Sequence, residues 1–395
     1  FFGAVPTIGS AHKGLETQRV FLGTAIPGDR TGDFHAALNA LADRATYFYA
    51  GQGKYWYDLQ ANITRSAKDQ ADRLHPEDVW AEIARRLSAL SDGRNSRGAF
   101  AAVQVCPEDH ADIPDLDEAR LVILHPKVAH TRRAVSKQDS AAAAFARDAL
   151  EHRGSANRAH RNMLVFLAAD QDRLEELDRA VRDYLGWSYV LSSSDLDLTD
   201  NQKAQATDKR ATADQTVASR LLNTYVWALH PTQPDPRAPY VITETKADGQ
   251  GSSPAERVTK RFDTDGNLAV MHAMGSIRLA IDKVPAVWKD GHVSVGQLWA
   301  YYADYPYMPR LRDQSVLMLG LAPDKATMAW MIDGFALAQG FDETTGRYRS
   351  LTLPSDDRRI DMTDGTLIVR PDVAQKQRDQ ELAAALGHGG QDPGP

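Results

Sequence analysis

The chain has 395 residues, 43% of them hydrophobic, with 46 Lys and Arg against 53 Asp and Glu and a formal net charge of −7. The length suits two to three domains around sizeable cores. The acidic balance excludes a generally basic nucleic-acid binder, though not a local basic patch. No run approaches the about 18 apolar residues of a membrane span, so no membrane partner is expected. The one cysteine, Cys106, ends an apolar run and can form no internal disulfide. It reads as a buried, inert thiol in a reducing, cytoplasmic setting. No secretory signal is visible, and residue 1 is Phe rather than Met. The chain is therefore expected to be a piece of a longer protein.

Val20–Thr24 reads as a short strand. Asp33 is placed to cap a helix running to Arg44. Tyr47–Tyr49 and Tyr55–Tyr57 flank a glycine-bearing loop and predict a β-hairpin. Its aromatics suit either a cross-strand ladder or stacking on bases. Helices follow over Ile63–Leu74 and Glu77–Leu90, the second with Val79, Ile83, Leu87 and Leu90 on one stripe. The polar break Ser91–Gly98 marks a first boundary, giving a helical and hairpin region over 1–97.

Three runs in the next region read as buried strands: Phe100–Cys106, Arg120–His125 and Met163–Ala168. An alanine-rich helix, Asp139–His152, lies between the second and third. Helical spacing then continues to about His230, with Val217, Leu221, Tyr225 and Leu229 as a last stripe. Strands alternating with helices predict a mixed α/β fold, with a small parallel-type sheet and covering helices, over 98–230. The proline-dense Pro231–Pro239 marks a second boundary. Beyond it come a strand at Tyr240–Glu244 and an Asp-Gly hairpin turn at Asp263–Asn267. Helices are expected over Ser294–Tyr305, from Asp313 to Leu319 and from Asp324 to Leu337. Strand-like runs follow at Arg347–Leu353 and Thr366–Val369. Helices followed by a strand pair describe a winged-helix-like region over 231–375. A polar helix follows Pro371, and 376–395 read as a disordered tail.

The motifs for common chemistries are missing. No G-x-x-x-x-G-K-[ST] loop occurs; Gly9 and Gly14 have the glycine spacing but Leu15-Glu16 follow in place of the lysine. No nucleophile elbow, zinc-binding pair or other metal site is visible, and no catalytic residue is assigned. Asp170 ends the third strand, where a metal-holding carboxylate sits in nucleotide hydrolases or where an acid caps the following helix. Arg158 and Arg161 precede that strand. They suit either arginine fingers reaching a neighbour's phosphates or surface ion pairs. Arg310, Arg312, Arg347 and Arg349 fall in the winged-helix-like part and are nucleic-acid candidates, because wing arginines commonly meet phosphates.

Five stretches in order resemble one family: Lys54–Asn62, Arg120–Pro126, Arg161–Asp170, Tyr225–Pro231 and Ser294–Leu311. Together they span roughly residues 20 to 370 and are similar to the C-terminal portion of large bacterial P-loop, AAA-like ATP-binding proteins. These proteins occur in phage-resistance islands and are akin to the ATPases of Pgl/BREX-type systems. The resemblance implies an anti-phage ATPase that couples nucleotide state to DNA or to other defence proteins; a second copy of the chain, in a homo-oligomer, is a further candidate partner. Its phosphate-binding loop would lie upstream of residue 1, so ATP and Mg belong to the intact protein and the chain by itself holds no cofactor and no complete active site. The alternative is a non-enzymatic DNA-binding or scaffold module of a defence complex.

Overall fold

A computed structural model describes residues 3–7, 14–45, 47–51, 53–57, 62–132, 140–322, 329–356 and 360–388. In chain order the elements begin with β1 (Leu15–Glu16), α1 (Thr17–Thr24), α2 (Thr31–Arg44), β2 (Phe48–Gly51), β3 (Lys54–Tyr57), α3 (Ile63–Arg73) and α4 (Pro76–Ser91). Next come β4 (Ala102–Val105), β5 (Arg120–Ile123), α5 (Ala141–Glu151), β6 (His152–Arg153), β7 (Ala156–Asn157) and β8 (Leu164–Ala169). They are followed by α6 (Gln171–Ser192), α7 (Asp200–Thr224), β9 (Tyr225–Thr232), β10 (Val241–Lys246) and α8 (Pro254–Asp265). The last group is α9 (Met274–Asp282), β11 (His292–Ser294), α10 (Val295–Asp304), α11 (Gln314–Leu321), α12 (Trp330–Asp333), β12 (Ala336–Ala338), β13 (Gly340–Asp342), β14 (Arg347–Arg349), β15 (Leu367–Val369) and α13 (Pro371–His388).

The chain divides into two compact units, each discontinuous in sequence: 1–83 with 173–224, and 84–172 with 225–395. Of the two expected boundaries, the one after residue 97 follows a 3-10 turn, Arg94–Arg97, and the one after residue 230 falls inside β9. The expected tail from 376 is helical as far as His388.

In the first unit, α3, α6 and α7 share an apolar core of Ile63, Ala67, Trp187, Val190, Ala206 and Ala213. Asn62 caps α3 by accepting from the amides of Thr64 and Arg65. Gly186 permits a close crossing of α6 over α3: a Cβ there would lie 2.3 Å from the Ala67 carbonyl oxygen. The β2–β3 hairpin forms as expected, with Phe48 opposite Tyr57 and Tyr49 opposite Trp56. Tyr49 and Trp56 stack at 5.6 Å, so the aromatics make a cross-strand ladder. Val20–Thr24 is helical rather than extended. The run is too short for its period to decide the matter, and its side chains are partly or fully exposed, with no buried strand position among them.

The second unit is built on a five-stranded sheet in the order β10-β9-β8-β5-β4. Strands β4, β5 and β8 run parallel, as expected. Strands β9 and β10 add to it antiparallel, so the sheet is mixed. Strand β8 is buried at every position, and α5 packs Ala142, Ala146, Ala149 and Leu150 onto the apolar side chains of β5, β8 and β9. The expected helix through His230 stops at Thr224, and Tyr225–Thr232 is strand β9. Seven of its eight residues are buried, and its aromatic, β-branched start fits a central strand covered on both faces.

The remainder of this unit, expected to be winged-helix-like, runs α9, β11, α10, α11, α12, β12, β13, β14, β15 and α13, with a sheet ordered β11-β15-β12. Ser294 caps α10 by accepting from the Gln297 amide, and Asp313 caps α11 through the Ser315 amide. The strand pairing differs from expectation. Strand β15 pairs with β11 and β12, while β14 pairs with β13 as a separate hairpin in the connection from β12 to β15. Asp263–Asn267 is not a hairpin turn. It is the end of α8, where Gly266 adopts φ +70° and its amide returns to Asp263 and Phe262 carbonyls. An Asp-Gly pair serves a helix stop as well as a turn, because both need a left-handed residue. The helix start expected at Asp324 lies outside the described residues, and Ala336–Ala338 is strand rather than helix. No helix among the described residues is long and apolar enough to cross a membrane.

Candidate functional site

Strand β8 carries polar residues at both ends. A six-residue strand advances about 3.3 Å per residue, so the arginines before it stand roughly 20 Å or more from Asp170 after it. They cannot serve one phosphate within the same chain.

At the carboxyl end, Asp170 is the residue before α6. Its Oδ1 accepts from the Asp172 amide at 3.0 Å and its Oδ2 from the Trp227 indole at 3.0 Å. Both oxygens are thus engaged, one in capping a helix and one in orienting a ring. Arg132 and Lys246 stand over that ring at 5.8 and 5.9 Å. Beside it lies His130, buried, with its main chain bonded to Ala169 and Gln171. His130 Nδ1 is 2.7 Å from Ser140 Oγ, which also accepts the Ala143 amide and so caps α5. His130 Nε2 lies 3.3 Å from Glu244 Oε2, but off the line of a hydrogen bond. The group Asp170, His130, Ser140, Trp227 and Glu244 ties the loop after β5 to the sheet and to two helix starts. Cys106 follows β4 at the same edge with φ +48°, and burial pushes its thiol up to about 12, so it stays protonated and inert. Among the described residues no group of three or more His, Cys, Asp or Glu side chains is placed to hold a metal ion.

At the amino end the arginines are engaged inside the chain. The Arg158 side chain is fully buried. It donates to the carbonyls of Ala149, Pro114 (3.2 Å), His110 (3.3 Å) and Ile113 (3.0 Å), with Asp115 at 3.7 Å. Its guanidinium pins the loop before β5 to the end of α5 and is not placed to reach a neighbour's phosphates. Arg161 is half-exposed; it donates to the Leu150 carbonyl at 3.1 Å and pairs with Glu151 at 3.3 Å.

Asn162, to which no motif in the sequence points, is the centre of the arrangement. Its amide donates to the Tyr302 and Met308 carbonyls at 2.9 and 3.1 Å. Its own carbonyl and side-chain oxygen accept from Arg310. Arg310 also reaches the carbonyls of Asn267 and Pro231, each at 3.1 Å. It is buried, among the described residues its hydrogen-bond acceptors are all neutral, and burial lowers its pKa to about 9. Arg310 therefore joins the amino end of β8 and the end of β9 to the segment between α10 and α11, and its buried guanidinium is not the surface cation expected of a nucleic-acid contact. Nearby, Trp299 donates to Asp117 at 2.7 Å, and His160 meets Asp304 at 2.8 Å. That hydrogen bond raises the His160 pKa, against the opposing effect of burial.

The other three arginines lie at the surface. Arg312 is half-exposed and bonded to Asp313 at 2.7 Å. Arg347 and Arg349 stand exposed on the β13–β14 hairpin, Arg347 with Glu381 at 3.6 Å. No local pattern separates Arg310 from Arg312, since alternate residues of an irregular segment face either way. Trp227 was hidden by the helical reading of β9. Comparison with protein-family models, with curated proteins and with solved structures finds no match.

Proposed function

We propose that this chain is the C-terminal portion of a multidomain AAA-like ATPase of a bacterial anti-phage defence system, and that it passes nucleotide state held elsewhere in the protein to DNA or to a partner. One observation carries the coupling: Asn162 and Arg310 fasten the amino end of β8, the strand that ends at Asp170, to the winged-helix elements. A displacement at the carboxyl edge of the sheet would be carried into the winged helix through buried hydrogen bonds rather than through a flexible linker. ATP and Mg would be held by the intact protein. The phosphate-facing residue on this chain would be half-exposed Arg161, freed by breaking its pair with Glu151. The wing hairpin, with Arg347 and Arg349, would be the DNA-facing element.

ATP turnover by the intact protein, measured with and without duplex DNA, tests this reading. Duplex should change turnover in the intact protein, this chain by itself should turn over no ATP, and Arg161→Ala should slow the intact protein by about 10-fold or more. In parallel, duplex binding by this chain should weaken as salt rises from about 50 to 200 mM, and Arg347→Ala with Arg349→Ala should lower that salt slope by about two. Turnover by this chain by itself, or an upstream reading frame with no phosphate-binding loop, overturns the proposal. The full engagement of Asp170 favours the second reading, a non-enzymatic DNA-binding or scaffold module. That reading predicts the same salt-dependent binding with no response to ATP in the intact protein.

A further inference from the structure

Strand β10 forms one edge of the five-stranded sheet, with β9 on its inner side. Residues of an antiparallel pair alternate between turning both N–H and C=O to the partner and turning both away. Two observations fix the phase here. The Ala247 amide donates to the Val226 carbonyl at 2.7 Å, so Val241, Thr243 and Thr245 share that inward phase. Pro231, opposite Ile242, has no N–H, and its carbonyl accepts from Arg310 instead. The N–H and C=O groups of Ile242, Glu244 and Lys246 therefore point away from the sheet. None of these six groups has a hydrogen-bond partner among the described residues. Proteins commonly blunt such an edge with a proline, a bulge or an outward lysine. Strand β10 has no proline and pairs without a bulge, and Lys246 at its end is turned over Trp227 and towards Asp248.

A groove of about 450 Å³ runs along this edge, between β10 and one face of α5. Ala143, Arg147 and Glu151, four apart on α5, form one wall, and Tyr240, Ile242 and Glu244 form the other. Over that length α5 rises about 12 Å, the span of about three to four residues of extended chain. The two ends differ in charge. At the Tyr240 end, Glu151 is taken up by the Tyr240 hydroxyl and by Arg161, with Arg147 near. At the other end Glu244 is exposed and pairs with no Lys or Arg among the described residues; His130, 3.3 Å away, lies off the line of a hydrogen bond. We propose that β10 takes up an extended segment of a partner protein as a sixth strand of the sheet. The segment's main chain bonds Ile242, Glu244 and Lys246, and its alternate side chains enter the groove. Cross-strand neighbours set their chemistry: a Lys or Arg faces Glu244, and an apolar residue two positions away faces Ile242. Val241, 55% exposed, offers an apolar contact on the opposite face. This goes beyond the proposed function and stands whether or not the chain belongs to an ATPase.

The probe is the labelled peptide Ser-Thr-Val-Thr-Lys-Thr-Val-Thr-Ser, which presents the same side chains in either strand direction. Titration with the full chain from roughly 1 µM to 1 mM should give a saturable rise in fluorescence anisotropy. Glu in place of the peptide's Lys should weaken binding about 5-fold or more, and Glu244→Lys should reverse that preference. Glu244 is exposed, so circular dichroism of the variant should match wild type. A peptide N-methylated at its Lys and Val amides and another N-methylated at its Thr amides should differ about 10-fold or more, because only one set of amides faces β10. Hydrogen exchange at the Ile242, Glu244 and Lys246 amides should slow when peptide is added. The absence of saturable binding, equal binding of the Lys and Glu peptides, or two N-methylated peptides that bind alike overturns the proposal. Slow exchange at those amides in a chain that sediments as a dimer without peptide overturns it in favour of a second copy as the occupant.

Discussion

Replacing Arg310 by Met tests the junction between the five-stranded sheet and the segment that joins α10 to α11. Methionine keeps much of the length and apolar stem but removes every donor. Four acceptors lose their partner: the Asn162 carbonyl and side-chain oxygen, the Asn267 carbonyl and the Pro231 carbonyl. Hydrogen bonds from a charged donor are worth about 1.5–3 kcal/mol each, so the gross loss is roughly 6–12 kcal/mol. The substitution also relieves the burial of a charge that pairs with no carboxylate among the described residues. The lowering to about 9 puts that relief on the order of 5 kcal/mol. The difference is roughly 1–7 kcal/mol of destabilisation, a span that contains the about 3–5 kcal/mol that removing one partner of a buried charged group commonly costs. Equilibrium urea unfolding followed by circular dichroism and tryptophan fluorescence reads it as a midpoint lowered by roughly 1–3 M. Arg310→Lys should fall between the two, since one ammonium cannot span three segments. Arg312→Met, at the surface, should change stability by no more than about 0.5 kcal/mol. A loss under about 1 kcal/mol for Arg310→Met would refute the assignment of this side chain as the junction.

Two histidines should give opposite pH responses. Burial lowers the His230 pKa to about 3, so below the unfolded value near 6.5 only the unfolded chain takes up the proton. Stability is lost as pH falls, by about 1.4 kcal/mol at pH 5.5, and His230→Gln should flatten that part of a stability profile. The His160 pKa is raised by Asp304, so its contribution is full below about 6.5 and is lost as pH rises through the raised value. Comparing His160→Gln with wild type from pH 5 to 9 should show the larger deficit on the acid side. In the other unit, Gly186→Ala would set a Cβ 2.3 Å from the Ala67 carbonyl oxygen and should cost about 1–3 kcal/mol by forcing α6 off α3; an unchanged melting temperature would contradict that crossing.

Where side-chain periodicity decides burial, the sequence was a good guide. The parallel strands β4, β5 and β8, the stripe of α4 and the aromatic hairpin all declare themselves by which neighbours are apolar. Two failures share a cause. Val217, Leu221, Tyr225 and Leu229 keep helical spacing straight through the point where α7 ends, so spacing could not mark the change to a strand buried on both faces. Gly266 offered a left-handed residue that a turn and a helix end use equally. The candidate site was less legible. Arg158 and Arg310 are as polar in sequence as Arg349, and only long-range packing decides that the first two are enclosed and the third is not. Asn162 draws its role from carbonyls about 140 residues away, to which no local pattern points.

The acceptors around Arg310 are dipoles, not anions. Dissolved ions weaken attraction between exposed charges but do not enter a dry shell of carbonyls. The fastening should therefore hold as firmly in concentrated electrolyte as in dilute buffer. Any ionic-strength dependence of this protein's behaviour can then be assigned to its outer surface, with the internal linkage left out of account.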